Sequence, residues 1–520
     1  MPVKAMVRAN TFLQSAQVWP FMRGWTIGAR RIAAKDIRSA TVPNAPIRGM
    51  RVAAKAPPNC TERMAMNTKI APRINATITT WLPSSLPGWA CEPEVTTRFG
   101  HPARMATMPF DFEVTSRLDD ACGRTGIIHT PHGSIETPAF VVVGTKATVK
   151  SLLPESVAQL GAQAVLANAY HLFLRPGPEL VDEAGGLGRF MNWSGPTFTD
   201  SGGFQVLSLG AGFKKTLAMD VSQLTQADVI AADADRKAMV DDDGVTFRNP
   251  LNGDSHRFTP EVSMGIQHHL GADVMMAFDE LTILMNTRAY QEEALERTRR
   301  WAERCLAEHR RLTEVRPEKP YQALYGVIQG AQYEDLRRKA CRDLAAMDVD
   351  GQRFDGFGLG GAIEKVNLGR IVTWCAEELP EDRPRHLLGI SEPDDLFAAC
   401  RAGADTFDCV NPSRVARNAA IYTVDGRYNV DTARFRRDFG PLEDGCDCYT
   451  CTHYSRAYIH HLFKAKEMLA NTLATIHNER WTVRLVDQIR VAMRSGDLDA
   501  FEVEFMGRWN ANGGRLARVG

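Results

Sequence analysis

The sequence predicts an α/β fold, a (β/α)8 TIM barrel, on three observations. Beyond residue 108, short apolar runs of strand length alternate with longer segments of helical period. Eight such runs occur in succession. Polar and glycine residues repeatedly follow them, on the side where a barrel gathers its chemistry. Periodicity alone does not close a barrel, so a doubly wound open sheet is the alternative.

The first three runs are 138–143, 164–168 and 197–200, and the fourth is 273–278. The remaining four are 324–328, 355–359, 386–388 and 405–408. Between them lie amphipathic segments, such as 287–310 with Pro320 beyond it. Asp200 ends the third strand and is followed by Ser201, Gly202, Gly203, Phe204 and Gln205. Asp279 and Glu280 end the fourth, and Gln329-Gly330 the fifth. Gly360-Gly361 ends the sixth, Gly389 the seventh and Asp408 the eighth. A single Asp after a strand commonly caps a helix or serves a turn. Three carboxylates converging on one barrel mouth would repel one another, a cost that chemistry explains better than capping. Glycine pairs are ordinary in tight turns, but they also let a ligand approach the backbone and expose N–H donors. Carboxylate acceptors, an amide and backbone donors together suit a purine edge: guanine N1–H and N2–H₂ need acceptors and O6 needs donors.

The chain has 520 residues and a mass of 57.6 kDa, enough for about three domains or one elaborated barrel. Its 44% hydrophobic and 24% charged residues exclude wholesale disorder, a coiled coil and a collagen-like chain. No apolar run reaches membrane-spanning length. The net charge of zero conceals an uneven distribution, because residues 1–107 carry fifteen Lys/Arg against four Asp/Glu. That segment lacks a sustained period and the apolar core of a signal peptide. It is expected to be a disordered or wrongly assigned extension, with Met108 as the true start. A transit peptide and a basic nucleic-acid-binding tail are the other readings. The expected organisation is 1–107 extension, 108–410 catalytic barrel, and 411–520 metal-binding subdomain with C-terminal helices.

Eleven scattered cysteines indicate a reduced, cytoplasmic protein rather than a disulfide scaffold. Cys446, Cys448 and Cys451 stand within six residues. Three thiolates so close repel without a cation, and a tetrahedral zinc ion with one histidine resolves this as a closed, structural site. An iron–sulfur cluster or free thiols are the alternatives. Spacing alone does not choose among His453, His460, His461 and His477. A loop-closing ligand on a later helix favours His477, while His460 and His461 read as helix residues. The basic stretches Ser413-Arg414-Val415-Ala416-Arg417 and Arg434-Phe435-Arg436-Arg437 are either solvated faces or a phosphate track.

From about Phe112 to its end the chain resembles the bacterial tRNA-guanine transglycosylase (queuine tRNA-ribosyltransferase) family. The resemblance rests on Thr199-Asp200-Ser201-Gly202-Gly203-Phe204-Gln205, Phe278-Asp279-Glu280 and Val327-Ile328-Gln329-Gly330. It also rests on Leu388-Gly389-Ile390, Phe407-Asp408-Cys409-Val410, the cysteine cluster, Tyr458-Ile459-His460-His461-Leu462 and His477-Asn478. It implies a zinc-containing (β/α)8 barrel that works as a homodimer in the cytoplasm. It implies a pentosyltransferase of queuosine biosynthesis, exchanging guanine at the wobble position of tRNAs with G-U-N anticodons for 7-aminomethyl-7-deazaguanine. By motif position it implies Asp408 as nucleophile and Asp200 as general acid/base. It places Ser201, Gly202, Gly203, Phe204, Asp279, Gln329, Gly361 and Leu388 at the base pocket. Gly389, Ile390, Ser391, Glu392, Pro393, Asp394 and Asp395 correspond to anticodon contacts, as do Ser413, Arg414, Val415, Ala416 and Arg417. Cys446, Cys448, Cys451 and His477 correspond to ligands of one structural Zn2+ per chain.

The implied chemistry is a double displacement. Asp408 attacks ribose C1′ of the splayed-out nucleotide as guanine leaves, and the new base displaces Asp408 after losing its N9 proton to Asp200. No redox or nucleotide cofactor is needed. The chain departs from the family at Leu281, where Cys is frequent, at Ala362-Ile363-Glu364, and at Leu388, where Met is frequent. Rival expectations are an archaeal-type relative, whose extra RNA-binding domain does not fit in the 43 residues after His477, and a non-catalytic partner subunit, which need not keep its carboxylates. A glycoside hydrolase barrel leaves the cysteines unexplained.

Overall fold

A computed structural model describes residues 110–205 and 238–511; the expectations for 1–107 lie outside the described residues. The chain opens with three antiparallel strands, β1 (Asp111–Arg117), β2 (Arg124–Thr130) and β3 (Gly133–Thr137), in the order β1-β2-β3. Then come β4 (Ala139–Val143), β5 (Val165–Ala167), β6 (Thr197–Thr199), and a second small sheet of β7 (Ala238–Val240), β8 (Val245–Arg248) and β9 (Ser255–Phe258). After β10 (Val274–Met276) follow β11 (Ala323–Ile328), β12 (Gly356–Leu359), β13 (Arg385–Leu387) and β14 (Thr406–Cys409).

β4, β5, β6 and β10 to β14 form one closed parallel barrel. Closure is made by β14 on β4, with Thr406 opposite Ala139 and Cys409 opposite Val142, so the open-sheet alternative is ruled out. All eight expected strands are the barrel strands. Their ends shift by a residue or two. Asn168 leaves β5 to precede the helix Ala169–Leu174, and Asp273 gives its carboxylate to Thr197 N at 2.8 Å. The helix expected at 287–310 runs Arg288–Val315, with the Thr287 hydroxyl accepting from Tyr290 N; its apolar stripe continues a turn beyond the expected end.

The small sheets were not expected. β1–β3 seats Phe112, Ile128 and Ile135 in one apolar cluster with barrel-interior residues such as Val141, Phe198 and Tyr325. Arg124 pairs with buried Asp405 at 2.7 Å and His132 contacts Asp273 at 2.7 Å. Both acids precede barrel strands, so this sheet plugs the N-terminal end. β7–β9 lies at the opposite end, where Phe258 packs on Phe278 at 6.3 Å and beside Gly202.

After β14 come the helix Asn411–Ala416, a hairpin of β15 (Ala420–Thr423) and β16 (Gly426–Asn429), and the 3-10 helix Ala433–Arg437. The helices Tyr449–His453, Arg456–Ala465, Met468–Ser495 and Leu498–Ala511 complete the described chain. Met468–Ser495 spans the assembly. In its first half Asn478 bonds Tyr422 N, Pro412 O and Ala420 O, and near its end Arg490 reaches Pro138 O at 2.8 Å. No described helix is long and apolar enough to cross a membrane.

Candidate active site and metal centre

The carboxylates sit where the strands end. Asp200 follows β6, and its oxygens accept from Ala169 N at 2.8 Å, Gln205 Nε2 at 2.9 Å and the Asn168 amide. The group is partly buried, and its loss of hydration, helped by the charge of Asp408, pushes its pKa up to about 7. Asp200 is therefore poised to hold or release a proton near neutrality.

Asp279 lies two residues beyond β10 and draws three strands together. It accepts from Ser201 Oγ at 3.2 Å and from Gln329 Nε2 at 2.6 Å. Burial raises its pKa to about 6, against those two hydrogen bonds, which favour the charged form. Gln329 Oε1 is buried without a hydrogen-bond partner. Gly361 presses on that amide: its φ is +82°, and a Cβ there would stand 2.0 Å from Gln329 Oε1. Only glycine fits this backbone against this side chain. Gly203 is similarly close, with room for a Cβ only 2.9 Å from Asp279 O. Leu388 lies over Gly360, 3.3 Å from where a Cβ would be. Phe204 is half-exposed beside Gly203.

Asp408, on β14, uses one oxygen only. Its Oδ1 accepts from Gly389 N at 3.1 Å and from His386 Nε2 at 3.3 Å. A carboxylate only accepts, so Nε2 carries the imidazole proton and Nδ1 accepts from Thr406 Oγ1 at 2.9 Å. His386 is fully buried. Sequence reasoning missed it, and a polar residue inside an apolar strand run was the available signal. It also missed Asn168, read there as the end of a strand, and Arg337. The fully buried guanidinium of Arg337 donates to Ile328 O, Ala331 O and Gly360 O at 2.8–2.9 Å, tying the end of β11 to the end of β12. Glu280 turns away from the cluster to Arg297 and to Tyr290 OH.

The segments expected to meet RNA flank Asp408. Gly389 and Arg414 are exposed, whereas Ile390, Ser391, Pro393, Asp395, Ser413 and Ala416 are buried. Val415 is half-buried, and Arg417 donates to Ser413 O at 2.7 Å. Glu392 is gripped by Arg427 at 2.6 and 2.7 Å. Lys365 lies between exposed Asp394 at 3.2 Å and Asp395 at 2.7 Å.

The candidate metal centre is assembled beyond the barrel. Cys446, Cys448 and Cys451 Sγ lie 3.6, 3.6 and 3.2 Å from His477 Nδ1, and all four donor atoms fall within 4.8 Å of one another. His477 Nε2 donates to Tyr422 O at 2.7 Å, which leaves Nδ1 bare for a cation, the usual support of a ligating imidazole. His460 is occupied elsewhere, on Val430 O. Three thiols and one imidazole converging in this way could hold a metal ion and fit a closed tetrahedral site.

The family described as Queuine tRNA-ribosyltransferase matches residues 119–511. The chain is 43% identical over 399 residues to the "Queuine tRNA-ribosyltransferase" of Geobacillus kaustophilus (strain HTA426), covering 77% of this chain and 96% of that protein. It is 42% identical over 408 residues to the protein of the same name from Bacillus subtilis (strain 168), covering 78% and 98%. With that of Symbiobacterium thermophilum it shares 43% over 407 residues, covering 78% and 92%.

Proposed function

The chain belongs to the queuine tRNA-ribosyltransferase family of pentosyltransferases, and from that membership we propose how its residues exchange a base in tRNA. The substrate is the wobble guanine of a tRNA with a G-U-N anticodon. The incoming base is 7-aminomethyl-7-deazaguanine, for queuosine biosynthesis. Guanine splays out of the anticodon loop into the barrel mouth. Asp279 accepts its N1–H and N2–H₂, Gln329 and the Gly361 backbone meet the same edge, and Ser201 to Phe204 with Leu388 line the pocket. The unpartnered Gln329 oxygen supports this reading, since a buried acceptor calls for an N–H. Around Asp408, residues 389–395 and 413–417 receive the neighbouring nucleotides.

The observation that carries the mechanism is the asymmetry of Asp408. His386 and the Gly389 amide both occupy Oδ1, so Oδ2 is the oxygen left to attack ribose C1′. The C1′–N9 bond breaks as the C1′–Oδ2 bond forms, and Asp200 gives its proton to departing guanine. The incoming base returns a proton from N9 to Asp200 and expels the Asp408 carboxylate, giving net retention.

The Cys446, Cys448, Cys451 and His477 cluster holds one structural Zn2+ per chain, which supplies cross-linking and no step of the reaction. The nine described cysteines are all free, in keeping with a cytoplasmic enzyme. A homodimer is supported by a ladder of rings outside the barrel, in which Tyr454 stacks on Tyr458 and Tyr449 on His453. Tyr449 and Tyr458 are 50% and 40% exposed, as rings at protein interfaces are.

The test is incorporation of radiolabelled guanine into unmodified tRNA by the full chain and by its 108–520 fragment. Label at the wobble position is the expected result for both. No incorporation by either, with folded and zinc-loaded protein, would overturn the reading in favour of a binding subunit.

A further inference from the structure

Asp408 rests on a short polar chain inside the barrel. β13 and β14 pair in parallel with His386 opposite Thr406. Residues two apart on a strand share a face, so Thr406 and Asp408 both turn inward beside His386. His386 and Thr406 are fully buried. The imidazole lies 5.6 Å from the Phe198 ring. Thr406 Oγ1 stands 2.9 Å from its Nδ1, and Asp408 Oδ1 3.3 Å from its Nε2. A neutral imidazole has one donor and one acceptor nitrogen, and the partner of one fixes the role of the other. Among the described residues the Thr406 hydroxyl is the one partner of Nδ1. By donating there it locks the ring proton on Nε2. Asp408 Oδ1 therefore meets two donors, the imidazole N–H and the Gly389 amide.

These donors do not favour the attack. Hydrogen bonds to an ionised acceptor are roughly twice as strong as those to a neutral one. While Asp408 is free, Oδ1 belongs to an anion. Once Oδ2 is bonded to C1′, Oδ1 is the carbonyl oxygen of a neutral ester and accepts more weakly. The two donors thus stabilise the free carboxylate more than the ester, and only such a difference between states changes a rate. They restrain ester formation and assist its breakdown. In breakdown the electron pair of the C1′–Oδ2 bond returns to the carboxylate, N9 of the entering base bonds to C1′, and the N9 proton passes to Asp200.

We propose that Thr406, through the tautomer it imposes on His386, is a positioning residue that shortens the life of the covalent RNA–enzyme ester. A persistent ester would leave the enzyme attached to an RNA without its base, and the Thr406–His386 pair draws the equilibrium back toward free Asp408. The inference rests on the transglycosylase reading, in which Asp408 is the nucleophile.

The test uses the full chain, unmodified tRNA and saturating radiolabelled guanine. It reads the share of enzyme held as RNA adduct on denaturing gels, beside kcat and KM. Thr406→Val keeps the side-chain shape and removes the hydroxyl. It should raise the ratio of adduct to noncovalent complex roughly tenfold, the difference between a charge-assisted hydrogen bond and a neutral one. Adduct formation after rapid mixing should be no slower than in wild type. kcat and KM for tRNA should fall together, leaving kcat/KM near its wild-type value. Thr406→Ser restores the wild-type ratio, and His386→Phe, which removes the donor outright, shifts it the same way as Thr406→Val. An unchanged ratio in Thr406→Val overturns the proposal. Slower formation with less adduct places the pair in the attack step and also overturns it. If His386→Phe misfolds, the two Thr406 variants decide alone. Nitrogen NMR of the histidine-labelled chain should show one neutral ring with its proton on Nε2, which becomes a mixture of tautomers in Thr406→Val; a doubly protonated ring there at about pH 7.5 overturns the lock. No exchange and no adduct in wild type would sink the transglycosylase reading and this inference with it, whereas wild-type adduct with an unchanged ratio in the variants sinks this inference alone.

Discussion

Asp408 holds its donors on Oδ1 and leaves Oδ2 for the attack proposed on ribose C1′. Asp408→Asn is expected to leave tRNA binding within a fewfold of wild type. It should abolish the covalent RNA adduct on denaturing gels and lower exchange by at least about a thousandfold. Wild-type amounts of trapped adduct in that variant would sink the assignment. Asp279 brings a pH dependence. Its pKa, raised by burial to about 6, means that below that pH the group takes up a proton and loses an acceptor for the base. Guanine affinity should therefore be steady above pH 7 and fall about tenfold per unit below 6, measured by equilibrium binding to the free enzyme. A flat profile from pH 5 to 7.5 rejects Asp279 as the reader of the N–H edge. Asp200, near 7, is protonated below neutrality, when it can donate to the leaving base, and charged above, when it can accept from the entering one. Asp200, Asp279, Gln329 and Asp408 were legible because each stands at the end of an apolar run. His386 was hidden because its partner, Asp408, is brought beside it only by the pairing of β13 with β14, which no local pattern encodes.

Strand ends need holding, and Arg337 does this for two of them. It fixes the carbonyls beside Gln329 and Gly361, which touch each other too closely to tolerate a shift. Arg337→Met removes the donor from Ala331 O and Gly360 O, leaves Ile328 O with Gly360 N alone, and is expected to cost about 3 kcal/mol of stability, read by denaturant unfolding. It should also raise KM for guanine more than it lowers kcat, with partial recovery in Arg337→Lys. A variant with normal KM for guanine shows that the clamp serves stability alone. The barrel strands were legible in the sequence because both their faces are buried, which leaves uninterrupted apolar runs such as Phe140 to Val143. β1 and β9 were not. Ser255–Phe258 alternates exposed and buried with only Phe258 fully inside, and Asp111–Arg117 buries only Phe112 fully. Such short, half-solvated strands look like loops until a partner sheet or barrel end supplies their other face.

Across the whole molecule, the Cys446, Cys448, Cys451 and His477 cluster brings the 446–451 loop to the helix Met468–Ser495, and that helix reaches back to the entrance of β4. One zinc per chain is expected by metal analysis. Cys448→Ala should lose it and several kcal/mol of stability, on the order of 5, while the carboxylates of Asp200, Asp279 and Asp408 stay intact. Exchange by this variant should fail first on warming, as the hairpin beside Asp408 loosens. Finding iron, or no metal in wild type, would reject the zinc assignment. The choice of His477 from four candidates was only partly legible, because the deciding fact is the hydrogen bond from its Nε2 to Tyr422 O, made across the hairpin. The closure of the barrel bears on how the protein is born. β4 leaves the ribosome early but finds its second neighbour, β14, only after the other barrel strands have been made, and its Arg490 bolt emerges later still. Until then the nascent sheet carries two unsatisfied edges, ready to pair with the wrong chain. The last helices of this enzyme thus time the end of a vulnerable interval in its synthesis.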